Sequence, residues 1–150
     1  MMKKLTNAFT LIELITTIAV LAILLAIAIP GMQNMVLENR LVAFANDFSS
    51  SVSLARSEAL TRRQSVSVSP IDNDWSNGWQ VVIDDSNEVI GSSEQYPQLD
   101  LTTPNDVQIT SRGILKGLAW DGIEACDKRS KCRVLDINGA GVVSITKKGY

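Results

Sequence analysis

Few side chains in this sequence could do chemistry, and the first to stand out is an acid in apolar company. Glu13 lies within "AFTLIELITTIAVLAILLAIAIPGM", and no other charged residue follows it from Leu14 through Leu37. A charge at the centre of a bilayer costs roughly 2.5–3.5 kcal/mol even on lenient insertion scales, so a buried acid needs a partner or a proton. Elsewhere the chemistry is sparse. The 150 residues contain no histidine, which removes the commonest general base and the commonest zinc ligand. Asp84 and Asp85 are adjacent, and neighbours in a strand point to opposite faces. Serines abound, but no base partners any of them. No enzyme, catalytic residue, metal or cofactor is expected.

The elements that must hold Glu13 are legible from periodicity. As a helix, the uncharged run would cover roughly 36 Å, more than a hydrocarbon core of about 30 Å. Lys3 and Lys4 precede it, so the positive-inside bias puts the N-terminus in the cytoplasm and the remainder across the membrane. Pro30 removes a backbone donor and clashes with the carbonyl of Ala26, predicting a kink, and Gly31 adds permissiveness. Beyond it, Leu37, Leu41, Phe44, Phe48, Val52, Ala55 and Ala59 recur at steps of three and four. This is one apolar stripe on an amphipathic helix running to about Arg62.

After Arg63 the period changes to two. "SVSVS" (65–69) reads as a half-buried strand. "WQVVID" (79–84) and "EVIG" (88–91) read as a hairpin across Asp85, Ser86 and Asn87. "DVQIT" (106–110) is a further strand, and "RVLDI" (133–137) with "VVSIT" (142–146) forms a closing hairpin around "NGAG". The expected class is α+β: a long N-terminal helix packed on an antiparallel β-sheet head.

A cleavable secretory signal with Ala26 and Ala28 at the cut, or an uncleaved anchor, would explain the apolar run. Neither gives Glu13 a task. "AFTLIEL" (8–14) resembles the type III signal of type IV pilins and of the pseudopilins of type II secretion. The resemblance implies a leader, residues 1–8, removed by a prepilin peptidase between Ala8 and Phe9, with N-methylation of Phe9. It also implies that Glu13, four residues on, registers assembly by pairing with the new amine of a neighbouring subunit. Residues 9–62 would then be the helix, transmembrane over about 12–36, and 63–150 the periplasmic head. The family usually has glycine before the cut, where this chain has Ala8. "LARSEALTRRQSVSVS", "WSNGW" and the closing hairpin are similar to the GspH/FimT branch of minor pilins and pseudopilins. Trp75 and Trp79 are expected to bury their rings against the helix. Arg56 and Glu58 do not face each other on a helix.

Cys126 and Cys132 close "CDKRSKC". The spacing fits neither a C-x-x-C redox motif nor a four-ligand zinc site, and a periplasmic head folds in oxidising surroundings. A structural disulfide is expected, contributing about 2–3 kcal/mol by chain entropy. The ring presents Lys128, Arg129 and Lys131, and Arg133, Lys147 and Lys148 extend the basic patch. DNA-binding relatives use a Gly-Arg-x-Arg motif, but this chain has Gly141, Val142, Val143 and Ser144 at the closest match. Both arginine positions are replaced, which leaves DNA contact through this patch as the weakest reading, limited to salt-dependent phosphate contacts.

The resemblance implies a single-pass inner-membrane subunit that assembles with other minor pilins or pseudopilins and with the major pilin. A minor pilin that primes a type IV pilus at its tip is the leading reading. An H-type pseudopilin of type II secretion shares every feature, and a DNA-binding minor pilin of natural transformation comes third.

Overall fold

The computed structural model describes residues 9–102, 104–117, 120 and 122–149, with the side chain of Pro30 also outside the described set. The chain divides into two compact units, Met1–Leu37 and Glu38–Tyr150.

In the first unit, helix α1 (Leu11–Arg62) begins. Thr10 caps it: the Glu13 amide donates to the Thr10 hydroxyl at 3.3 Å and to the Thr10 carbonyl at 3.2 Å. Thr10 and Glu13 thus have the spacing of a capping box, a start signal visible in the sequence but masked there by the apolar run. The Thr16 and Thr17 hydroxyls donate to the carbonyls of Glu13 and Leu14 at 3.0 and 2.8 Å, so neither is left bare among apolar side chains. The expected kink at Pro30 concerns a side chain outside the described residues. Helix α1 is assigned without a break across that position.

The second unit holds the rest of α1 and eight strands: β1 (Val66–Ile71), β2 (Asp74–Ile83), β3 (Glu88–Ser92), β4 (Asp100–Leu101), β5 (Val107–Ile109), β6 (Ile123–Cys126), β7 (Cys132–Ile137) and β8 (Val143–Lys148). They form two four-stranded sheets, ordered β3-β2-β1-β5 and β4-β6-β7-β8, and every pairing is antiparallel. Leu41, Phe44, Phe48, Val52, Ala55 and Ala59 are all fully buried against them. The sheets answer with period-two positions: Val66 and Val68, Val81 and Ile83, Val107 and Ile109, Ile123 and Ala125.

Aromatic rings fill the middle. The Phe48 ring centroid lies 5.7, 5.6 and 5.3 Å from those of Trp75, Trp79 and Trp120. Each indole N–H has a partner: Trp75 donates to the Pro104 carbonyl, Trp79 to the Ser51 hydroxyl and Trp120 to the Asn105 carbonyl. The rings are therefore buried without stranding their polar edges.

Three features differ from the sequence reading. The head has two sheets where one was expected, because β4 and β6, which were not foreseen, pair with each other and with β7. The strand expected from residue 79 begins at Asp74, so the Trp75–Trp79 stretch lies inside β2, where the register against Pro70 and Ile71 shifts in a bulge. Gly78 sits there at φ +87°, with a Cβ position only 2.8 Å from the Glu94 carbonyl oxygen, so only glycine fits without backbone movement. A further hairpin joins β1 to β2 through Asp72 and Asn73, both at positive φ, as a two-residue turn requires. Phe48→Ala should cost about 3–5 kcal/mol, the usual loss for a large buried ring, read as a lowered unfolding midpoint of the full chain in detergent.

Candidate functional site

Two regions carry the residues singled out in the sequence. The first is the start of α1. Phe9 is 79% exposed, and Glu13 lies in the first helical turn. A carboxylate there faces the positive end of the helix dipole, worth about 0.3–1 kcal/mol. Ala8, the other side of the expected cut, lies outside the described residues. From Leu11 to Met35 the large apolar side chains are exposed around the whole helix, Ile27 at 74% and Met32 at 71%. A helix apolar on every side is built to be surrounded by lipid or by other apolar helices. The helix is long and apolar enough to cross a membrane.

The second region is the β6–β7 end of the second sheet. Cys126 and Cys132 face each other across the β6–β7 register and form a disulfide. Inside the ring, the buried Asp127 carboxylate accepts from the Arg129 Nε at 2.8 Å, from the Arg129 amide at 2.8 Å and from the Lys131 amide at 3.2 Å. Burial alone would push this carboxyl up, but the bonds from Arg129 and the two amides outweigh it and hold the carboxyl below its usual range.

The basic residues of this tip do not act as one open patch. Arg133 donates to Glu38 of α1 at 2.8 Å with its side chain only 11% exposed, and Arg129 lies 4.0 Å from the same carboxylate. These two arginines therefore fasten the ring to the helix. Lys148 pairs with Glu124 at 3.0 Å. Lys128 and Lys147 are exposed and Lys131 is half-buried. Glu38 was missed in the sequence, since nothing local marks a partner 95 residues away. Glu124, Cys126 and Cys132 bring their ligand atoms within 4.8 Å of one another, but the sulfurs are joined, so the cluster offers no thiolate to a metal.

Other elements serve the fold. Glu58 pairs with Arg62, which also reaches Glu88 of β3. Arg56 packs its stem near Gly141 of the closing turn, so it and Glu58 make separate contacts, as the helix spacing implies. Tyr96 straps the loop after β3 onto α1. It donates to Asp47 and stacks on Trp79 at 5.9 Å, and burial, then the Asp47 carboxylate, push its phenol up.

Comparison with known proteins agrees with this architecture. Residues 45–141 match the family described as "Type II transport protein GspH", and residues 3–29 match the "Prokaryotic N-terminal methylation motif". Two crystal forms of the type IV minor pilin FimU of Pseudomonas aeruginosa (strain PAO1) share the fold. One superposes with a TM-score of 0.60 at 22% identity, covering 73% of this chain and 90% of that one. The other gives 0.58 at 22% identity, covering 71% and 92%. No curated protein sequence matches the chain.

The Asp127 carboxyl supplies a test of the tip. Its folded-state pKa is depressed, so the stability it contributes is complete above the unfolded value of about 3.9 and is lost as pH falls through the lower folded value. Asp127→Asn should lower stability at neutral pH by about 1–3 kcal/mol, the range for bonds to a charged group. It should also flatten the acid limb of the stability curve, read by denaturant unfolding of the full chain between neutral pH and pH 2.

Proposed function

The chain belongs to the GspH family, and from that premise we propose that it is a minor pilin that helps to prime a type IV pilus at its tip. The family is one of structural, non-enzymatic pilin-like subunits, and the N-terminal methylation motif marks the start of the chain. The observation that carries the reading is the pairing of an uncharged, exposed first half of α1, from Leu14 to Leu37, with one acid in its first turn. Such a stem is unstable alone in water and is stabilised by packing among equivalent stems.

On this reading a prepilin peptidase cuts between Ala8 and Phe9 and methylates the Phe9 amine. The helix anchors the subunit in the inner membrane, with the head in the periplasm. Glu13 then pairs with the N-terminal ammonium of a neighbouring subunit. The pair forms only at the matching height, because a one-turn slip along the bundle leaves the carboxylate desolvated and unpaired. Pro30 loosens the helix where its missing amide breaks the ladder, giving the stem length to adjust. The head supplies partner-specific contacts to other minor subunits and to the major pilin.

The second reading, an H-type pseudopilin of the type II secretion system, is favoured by the description of the matching family itself. It predicts the same processing and the same role for Glu13 but different neighbours. Crosslinking a tagged chain in its native membrane, followed by mass spectrometry of the captured partners, separates the two. Major pilin and pilus minor subunits are expected; secretion pseudopilins in their place would transfer the chain to the secretion machine. Glu13→Ala should leave removal of residues 1–8 intact, read as the mass of the mature chain, while its recovery in sheared filaments falls at least about tenfold for a lost charge pair of about 1.4 kcal/mol or more. Normal incorporation of that variant would contradict the registration role.

A further inference from the structure

On one face of α1, Ser49, Ser53 and Ser57 follow one another at steps of four, with Arg56 and Leu60 three residues beyond the last two. With the turn between β7 and β8 they line a groove of about 450 Å³. The turn forms a firm wall. The Gly141 amide donates to the Asn138 carbonyl at 2.8 Å, and the Val142 amide to the Asn138 side-chain oxygen at 3.0 Å. Gly141 holds φ at +71°, and a Cβ there would lie 3.2 Å from the Gly113 carbonyl oxygen and 3.6 Å from Cδ of Arg56. Glycine thus lets the turn close down on the arginine stem.

Arg56 is the only charged side chain among the described residues that line the groove. Its Nε is buried without a hydrogen-bond partner, and among the described residues no ion pair engages its guanidinium. Glu58, the nearest acid along the helix, is held by Arg62. A buried donor left unbonded costs free energy, and a guanidinium is a planar fork matched to a carboxylate. The serines beside it supply short hydroxyls and little bulk, while Leu60 and Val142 stand about half exposed, at 50% and 47%. An arginine set among small polar and apolar side chains has the composition of an interface centre. One cation between two apolar residues suits a single carboxylate carried on a protein segment. A nucleic-acid backbone calls for several cations in a row, and Arg129 and Arg133 are tied to Glu38.

We propose that this groove is a docking site for an aspartate or glutamate of a neighbouring pilin-like subunit, whose carboxylate accepts from the Arg56 guanidinium while an adjacent apolar residue covers Leu60 and Val142. The proposal rests on the reading of the chain as an assembling subunit, and it gives the head's contact with a partner an address. Docking satisfies in the assembly a cation that the lone subunit leaves unpaired. It also selects the partner, because a neutral or basic segment in the same groove would bury the guanidinium without an opposite charge.

The test places a photo-reactive benzophenone residue at Ala140, exposed on the turn, in the full chain in its native membrane, and identifies the crosslinked peptide by mass spectrometry. The expected product is a peptide of a different pilin-like subunit with an aspartate or glutamate close to the crosslink. Its yield should fall at least about tenfold with Arg56→Gln, while the unfolding midpoint of that variant stays close to the parent's, since the guanidinium has no partner to lose within the chain. Arg56→Glu should abolish capture, and replacing the captured acid by arginine should restore it. Undiminished capture with Arg56→Gln, failure of the charge swap, or a captured peptide without an acid would each overturn the proposal. So would nucleic acid or a second copy of this chain in the groove. A second probe at Ile23 separates this outcome from the assembly reading. Pilin-like neighbours captured at 23 with none at 140 would overturn the groove alone, and none at either position would overturn both.

Discussion

One seam on α1 carries the second unit. Its residues shrink along the chain, from Phe44 and Phe48 through Val52 to Ala55 and Ala59. Where they are large, rings interlock: Phe44 meets Trp79 and Tyr96 edge-on at 5.6 and 5.3 Å, and Phe48 is shared by three tryptophans. Trp75 and Trp79 lie on the same buried side of β2, as an even spacing along a strand places them, and the bulge shifts the register against β1 between them.

The polar ties around that seam fasten the periphery. Trp79 is held to Ser51, Tyr96 to Asp47, and Arg133 to Glu38, each linking a different part of the head to α1. The first two are hydrogen bonds and the third an ion pair, and a partly buried pair of that kind costs most when one partner is removed. Their value lies in fixing which part of the head meets which turn of the helix. The disulfide acts in the same way on a smaller scale: it keeps the Asp127 turn closed, so that Arg129 and Arg133 converge on one carboxylate.

The sequence made the helix stripe, the outer hairpins and the disulfide legible because each rests on local periodicity or spacing. Leu41, Phe44 and Phe48 declare a face by their steps, and "SVSVS" declares a strand. β6 escaped because "IEAC" is short and follows glycine, and its strand character comes from pairing with β7. Trp120 gave no periodic signal, yet it stacks on Phe48. The capping role of Thr10 was readable but was masked by the apolar residues around it. Among the basic residues, composition could name a patch and could not divide Arg129 and Arg133, which tie the ring to α1, from the exposed Lys128. That division depends on Glu38, far away in the chain.

Glu13 has two physical accounts, and their magnitudes decide how far each reaches. As a first-turn acid it is favoured by the helix dipole by about 0.3–1 kcal/mol, and an aspartate could supply similar help. In a lone membrane-spanning helix this is nearly enough: the uncharged run of roughly 36 Å exceeds a core of about 30 Å, so the carboxylate can stay at the headgroups. In a bundle of stems drawn out of the membrane, the same carboxylate enters apolar surroundings. The cost then rises to several kcal/mol per ion, beyond what the dipole supplies. Only an opposite charge carried at the same height offsets it, and on the proposed reading the amine freed before Phe9 supplies that charge. On that reading the acid costs little in the membrane and becomes selective in the assembly, which is the behaviour the proposed registration role needs.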